Sequence, residues 1–482
     1  MKTIAIIGAG PAGLSTAYSV LSKSGDFQVT IFEKESQVGG LSKTFEYEGG
    51  RLDIGGHRFY TKNDDVLKMW KDILPYSSTG MLLRDRKSHI LWDGKLIEYP
   101  IRMNFQTMKT FGLLQGIKVA ASYLSTAKNS SSIESLEDFY IHRFGKRLYS
   151  MFFEHYTYKV WGIPACQLSP DWGAQRVQGI SLYALIKGNL LKRKNSDKQR
   201  SLITEYYYPA YGAGQFWDSL RNRIIENGGI IKCNCDVTRL IHTDNKISEL
   251  EYREGTNLRI QNFDYVVSSM PLRDMISIIS NSPKCVRSVA NRLKYRDMII
   301  LGIEFSKQDM GPIFGTASSD SWLYMQDPKI SFGRVQILNN WSPYAVVHNN
   351  SILLELEFFC NENDSLWTMS DNNLLAQSLS ELVQCGLCQQ KARIQSYIVK
   401  RITKAYPVYT DGYYELDIVK EWIDKITNLR CIGRNGQHKY NNMDHSVEAG
   451  MEAARSIMDP EYDTRRLWSV NNEQQYLEEK TN

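Results

Sequence analysis

Ile4-Ala5-Ile6-Ile7-Gly8-Ala9-Gly10-Pro11-Ala12-Gly13-Leu14 is a short apolar strand running into a G-x-G-x-x-G turn, and Glu33 follows 20 residues after Gly13 at the end of a second apolar stretch. Gly8 permits the tight turn and Gly10 lets a pyrophosphate approach the backbone. Gly13 lets the helix that continues through Leu14 to Leu21 pack on the strand, and the Glu33 carboxylate can take a ribose hydroxyl. A strand before, a helix after and an acid at this distance specify a dinucleotide-binding unit rather than a glycine turn without a ligand.

Working outward, Val38-Gly39-Gly40-Leu41-Ser42 is a second glycine turn, and Arg51-Leu52-Asp53-Ile54-Gly55-Gly56-His57 brings a third close backbone approach after another short strand. A plain NAD fold has no need of these. Near the far end, Cys431-Ile432-Gly433-Arg434-Asn435-Gly436 is a strand ending in glycine, and Asp444-His445-Ser446 opens a helix from Val447 to Ile457. Together these pieces resemble the glutathione-reductase-like FAD fold of amine oxidases, protoporphyrinogen oxidase and UDP-galactopyranose mutase. The resemblance implies α/β architecture: a Rossmann-like FAD-binding domain, a helical insert and an antiparallel-sheet substrate domain. It implies FAD as cofactor, bound by Gly8, Gly10, Gly13, Glu33, Gly40, Leu41, Gly56, His57, Val237, Gly433, Arg434, Asn442, Met443 and Ser446. The late helix would turn its N-terminus toward the end of a reduced flavin that carries negative charge.

The chain of 482 residues is 42% hydrophobic, enough to bury a large core over two to four domains. No apolar run has the length of a membrane span, and Met1 to Leu14 lacks the cleavage site of a secretory leader, so a cytoplasmic protein is expected. Eight cysteines in so long a chain make no disulfide framework, and Cys385-Gly386-Leu387-Cys388 has no second pair, so no metal site is expected. The net charge of +5 suits an anionic ligand and does not imply nucleic acid; the basic run Lys187 to Arg200 reads as a solvated loop.

Three stretches return to the cofactor, residues 1–65, 205–271 and 429–459, so the nucleotide domain is split in sequence. Residues 102–187 form the helical insert, with Phe105, Met108, Phe111, Leu113, Leu114, Ile117, Ala121 and Leu124 at helical spacing, a packed or lid helix rather than a membrane-dipping one. Residues 81–100 and 272–428 alternate apolar and polar side chains, as in Leu353-Leu354-Glu355-Leu356-Glu357-Phe358, and read as a mostly antiparallel sheet. The tail, 460–482, is polar and expected to be peripheral.

The insert carries Phe152-Phe153-Glu154-His155-Tyr156-Thr157-Tyr158-Lys159-Val160-Trp161-Gly162, followed by Arg176. Aromatics this dense read first as core packing. The segment also resembles one in UDP-galactopyranose mutases, and four more pieces follow in that family's order. They are Tyr207-Tyr208-Pro209, then Gly333-Arg334-Val335 with Asn339-Asn340-Trp341-Ser342-Pro343-Tyr344, then Ala405-Tyr406-Pro407, then Gly433-Arg434-Asn435-Gly436 running to Tyr440. The likeness covers residues 1 to about 457. It implies Arg176 and Arg334 on a diphosphate, and Phe152, Tyr156, Trp161, Tyr208, Tyr344, Tyr406 and Tyr440 around a nucleotide sugar. His57 would either tune the flavin or merely position it. Planar cations and phenols suit a nucleoside diphosphate, whereas a porphyrin or an amine would not ask for them.

The activity implied is conversion between pyranose and furanose forms of a nucleotide sugar. It would run through an adduct between sugar and reduced-flavin N5, with the flavin reduced by NAD(P)H or dithionite and no net redox change. The nucleotide, uridine, thymidine, guanosine or cytidine diphosphate, stays open. So do the sugar and any oligomeric state. The alternatives are a flavin oxidoreductase of the amine-oxidase and protoporphyrinogen-oxidase type, and a non-catalytic flavoprotein that meets a membrane through the basic run.

Overall fold

The computed structural model describes residues 1–48, 50–99, 113–126, 132–176, 205–348 and 350–471. Its centre is a five-stranded parallel sheet in the order Leu429–Cys431, Tyr265–Ser268, Lys2–Ile7, Phe27–Phe32 and Ile230–Lys232, with strands drawn from three separated stretches of chain. Helices cover a parallel sheet on both sides, which is why its strands are continuous apolar runs: Ile4, Ala5, Ile6, Val29, Ile31 and Val267 are fully buried. The helix Pro11–Leu21 follows the first strand, and the helix Met443–Met458 lies so close to it that a Cβ at Gly450 would stand 2.4 Å from the Ala12 carbonyl oxygen.

Cys235–Thr243, Lys246–Glu254 and Asn257–Gln261 form a separate antiparallel sheet. The first of these strands is longer than its sequence suggests. It runs to a tight turn in which Asp244 and Asn245 both take positive φ, a conformation those residue types tolerate.

The largest sheet has seven strands in the order Ile394–Val408, Lys294–Ser306, Ser351–Cys360, Arg334–Ile337, Trp322–Met325, Ser88–Trp92 and Lys95–Glu98, antiparallel except where Trp322–Met325 meets Ser88–Trp92. Side chains alternate between its faces. One face carries Leu301, Leu323, Val335, Leu354, Leu356 and Phe358 into an apolar core. The register puts Tyr324 beside Arg334 beside Glu357, and Trp322 beside Gln336 beside Glu355, on the other face. That second face is also covered: Ser351–Cys360 is buried along its whole length, glutamates included.

In the insert, Leu113–Thr126, Leu136–Phe144, Lys146–Phe152, Glu154–Trp161 and Pro170–Arg176 are helices. Ser135 and Asp138 form a reciprocal capping box at the second, and Gly162 ends the fourth with a positive φ of 71°. Phe105, Met108 and Phe111, the side chains of Leu113, Leu114, Ile117 and Arg176, and the basic run lie outside the described residues. Among the described residues, no helix is long and apolar enough to cross a membrane.

Two boundaries differ from those read in the sequence. Met81–Asp85 pairs with Glu205–Pro209 in a two-stranded sheet of its own instead of joining the large sheet. The tail is not peripheral where it begins: Leu467 and Val470 are buried, and Lys439 donates to the Val470 carbonyl. Leu467 on the helix Arg465–Ser469 and Val470 just after it dock this segment onto the nucleotide-domain core.

Candidate functional site

A cavity of about 790 Å³ opens along the carboxyl ends of the parallel strands, within the size range of small-molecule and cofactor sites, about 300–1,000 Å³. Gly8 and Gly10 line it from the first turn, Gly40 and Leu41 from the second, and Gly433 and Arg434 from the last. At two of these glycines the backbone has no room for a side chain. Gly8 has φ +99° and a Cβ would meet Ser269 Oγ at 2.2 Å; Gly40 has φ +54° and its Cβ would stand 3.0 Å from Gly10 Cα. Gly13 is set back from the cavity, and a Cβ there would strike the Gly8 carbonyl oxygen at 2.0 Å, so it holds helix and turn together.

Glu33 reaches the cavity from the second strand, as does Val237 from the antiparallel hairpin. The two Glu33 carboxylate oxygens accept from the Ala9 amide at 2.7 Å and the Glu35 amide at 3.0 Å, tying the glycine turn to the acid. Burial raises its pKa, opposed by the Ala9 hydrogen bond. Asn442, Met443 and Ser446 bring the N-terminus of the 16-residue helix Met443–Met458 to the opposite wall. The positive end of a helix favours an anionic ligand group. A glycine-lined channel ending at a helix N-terminus, with an acid at its ribose end, is the donor set an extended dinucleotide requires, and FAD fits it.

His57 marks the inner end of the cavity. Its Nε2 lies 2.8 Å from the Leu41 carbonyl, linking the second and third glycine turns, and burial together with the nearby Arg434 lowers its pKa to about 4, so the ring is neutral at pH 7. Gly56 itself does not line the cavity. A Cβ on it would meet the Trp341 ring at 2.9 Å and Gln336 Nε2 at 3.0 Å, so the turn lies directly on the polar face of the seven-stranded sheet.

Beyond His57 stands a cluster drawn from the sheet, the insert and the last turn. Arg334 donates to the Tyr406 hydroxyl at 3.1 Å and pairs with Glu357 at 2.5 Å, while its buried Nε–H has no acceptor. Tyr406 stacks on Tyr440 with ring centroids 5.5 Å apart and planes 10° from parallel. The Arg434 guanidinium lies over both rings, at 5.4 Å and 5.2 Å, while donating to the Asn441 and Ala405 carbonyls. Trp161 approaches the same two rings edge-on, and Tyr156 meets Tyr324, the register partner of Arg334. Arg334, Tyr156, Trp161, Tyr406 and Tyr440 therefore converge. An unused guanidinium N–H framed by phenols and an indole is suited to a planar anion such as a phosphate.

Three residues read from the sequence stand elsewhere. Phe152 is buried against Trp92 in the core of the insert. The Tyr208 hydroxyl donates to Asp53 at 2.7 Å and its ring packs on Trp341, so its polar group is already used. Tyr344 packs on Tyr211, and its carbonyl accepts from Arg51. In each case a neighbour distant in sequence claims the side chain.

The structure also adds residues that motif reading passed over. Glu355, Gln336 and Glu357 lie on the site-facing side of the sheet, fully or almost fully buried. Two glutamates at alternate positions of a strand otherwise as apolar as Ser351–Cys360 were the available signal.

The class of protein is thus a dinucleotide-binding α/β protein whose nucleotide domain is interrupted by a helical insert and backed by a large mixed sheet. The model of a NAD(P)-binding Rossmann-like domain matches residues 6–73. The fold is that of a crystal structure of reduced UDP-galactopyranose mutase, with TM-score 0.82 and 19% identity over 99% of this chain and 100% of that one. Among sequence relatives, coproporphyrinogen III oxidase of Staphylococcus aureus is 23% identical over 58% of this chain, and a probable UDP-galactopyranose mutase of Klebsiella pneumoniae is 29% identical over 35%. The matches span 63% and 43% of those two relatives' own lengths.

Proposed function

We propose that the protein is an FAD-dependent mutase that interconverts pyranose and furanose forms of a nucleoside-diphosphate sugar, serving surface-polysaccharide synthesis. The observation that carries this reading is Arg334, whose buried Nε–H has no acceptor and whose guanidinium faces Tyr406 and Tyr156. Likeness in fold to a UDP-galactopyranose mutase supports it.

FAD, held by the glycine turns, Glu33 and the helix N-terminus, would supply the covalent catalyst in its reduced state. The chain's own residues would do the rest. Arg334 and the Tyr406 hydroxyl bind the departing diphosphate, which lowers the cost of breaking the glycosidic bond, and keep it close for return. Trp161 and the tyrosine pair shut out water. Neutral His57 orients the turn bordering the cofactor, and Arg176 is proposed as the second diphosphate cation.

A second reading, a flavin oxidoreductase of the amine-oxidase or protoporphyrinogen-oxidase type, is favoured by the sequence relative that is a porphyrinogen oxidase, since the cavity serves either. The test is to add a panel of nucleoside-diphosphate sugars to the dithionite-reduced protein and separate the sugar forms by chromatography. Ring interconversion without stoichiometric consumption of reductant is expected. Steady reductant consumption, or peroxide formation from an amine or porphyrinogen with no response to any nucleotide, would replace the mutase with the oxidoreductase.

A further inference from the structure

The polar sheet face beneath the Gly55–Gly56 turn holds more acids than bases. Glu357 is paired with Arg334 and accepts from Gln336 Nε2 at 2.7 Å. Glu355, two residues earlier on the same face, is fully buried; its Oε1 accepts from the Gly55 amide at 2.9 Å, and its Oε2 has no partner. Gln336 Oε1, beside it in register, is likewise without a donor. Asp53 stands behind, already accepting from Thr44 Oγ1 at 2.5 Å, the Tyr208 hydroxyl at 2.7 Å and the Ala213 amide at 3.1 Å. Tyr47, from the strand Thr44–Tyr47, and Tyr208 also face Glu355.

Arg334 is a cation that faces Glu355, and Glu357 engages it. Two buried carboxylates on one strand face cannot both stay ionised against one cation. Orphan acceptors side by side also call for a hydrogen between them, since an unpaired buried polar atom is costly. A proton on Glu355 supplies it. Burial, then Glu357, then Asp53 push its pKa well above the ordinary carboxyl range, in the same direction.

We infer that Glu355 is a proton-bearing carboxylic acid that positions the Gly55-Gly56-His57 turn from beneath, so that the turn's outer side meets the cofactor. Gly55, with φ +74° and a would-be Cβ 3.2 Å from Glu357 Oε1, can approach the wall only as glycine and only if Glu355 does not add a second negative charge there. Ionising Glu355 places a second negative charge beside Glu357 in the buried wall under the turn, and that burial cost disfavours the packed arrangement. The inference rests on reading the cavity as an FAD site.

The test combines infrared spectroscopy of the full-length protein with FAD titration by flavin fluorescence across pH, for the parent, Glu355→Gln and Glu355→Ala. The parent is expected to show a protonated-carboxyl stretch at neutral pH that Glu355→Gln abolishes. Its FAD affinity should fall toward alkaline pH, by up to roughly tenfold per pH unit once the acid ionises. Glu355→Gln, whose amide mimics the neutral acid, should bind FAD as the parent does at neutral pH and lose that alkaline fall; Glu355→Ala should bind roughly tenfold more weakly or worse. A residue of merely structural importance would leave the pH profile unchanged. No carboxyl band, or a Glu355→Gln protein with the parent's alkaline fall, overturns the inference. A carboxyl band in a parent that takes no FAD at any pH overturns the cofactor reading, and with it the positioning role toward FAD.

Discussion

The cavity turns are lined by backbone: Gly8, Gly10, Gly40 and Gly433 border the channel, and at Gly8, Gly40 and Gly433 a Cβ would press on neighbouring protein atoms. The sheet face behind them is lined by side chains. Tyr324, Arg334, Gln336, Glu355 and Glu357 come from three strands and are partnered mostly with one another. The backbone-lined region leaves no room for a Cβ at Gly8, Gly40 or Gly433 and makes little demand on side-chain chemistry, as suits a cofactor shared by many folds. The side-chain-lined region depends on charge count and hydrogen-bond pairing, and there one altered residue redirects specificity while the fold survives.

The largest expected effect lies on the backbone side. In Gly13→Ala the new Cβ has to enter the space beside the Gly8 carbonyl, 2.0 Å away, and Ile6 Cγ2, 3.1 Å away, and a backbone oxygen in a turn cannot swing aside. A loss on the order of 3 kcal/mol is expected in chemical denaturation, with loss of cofactor after gel filtration. A Gly13→Ala protein that keeps both would remove the claim that this wall is rigid.

On the other side, Arg334→Ala leaves Glu357 buried without its cation, which mixes folding with binding. The double variant Arg334→Ala/Glu357→Gln separates them. It is expected to fold and hold FAD while nucleotide affinity drops roughly tenfold to more than a hundredfold, from a charge-assisted contact worth about 1.5–3 kcal/mol or more. Arg334→Lys should recover only part, because a point charge lacks the planar fork. Parent-like nucleotide binding by the double variant would make Arg334 a structural arginine.

A smaller effect joins the two regions through pH. His57 titrates near 6.5 in an unfolded chain and about 4 in the fold, so between those values the unfolded state holds more protons and stability falls as pH is lowered. Buried His438 behaves in the same way for the same reason. His57→Asn should therefore flatten part of the acid-side slope of the melting temperature, and adding His438→Asn should flatten more. An unchanged slope in the double variant would show that these rings do not stay neutral in the fold.

The smallest effect is Tyr406→Phe. It deletes the hydroxyl that touches Arg334 and keeps the stack on Tyr440. About 0.5–1.5 kcal/mol is expected, roughly a 2- to 12-fold loss of nucleotide affinity by titration calorimetry, with FAD binding untouched. Loss of FAD instead would mean that the two regions are one.

The glycine turns, the acid at Glu33 and the late helix could be read because each is a local device: a positive φ, a cap at a helix end, a carboxylate at a set distance from a turn. Arg334, Tyr406 and Tyr440 could be picked out only by resemblance, as the contacts joining them span 72 residues in one case and 34 in another. Tyr208 and Tyr344 show the limit of that reading. Their motifs are in order, but Asp53 and Tyr211 take up their side chains.

By itself, then, the sequence determined the parallel nucleotide-binding core, its three glycine turns and the helix that closes it, because glycine, strand period and helix caps act within a few residues. Only the tertiary structure decided what the alternation in Leu353 to Phe358 means. A strand with period two states that its faces differ, not which one meets water, and packing the Gly55–Gly56 turn against this sheet turned an ordinary solvent-side pair, Glu355 and Glu357, into a buried wall of the site.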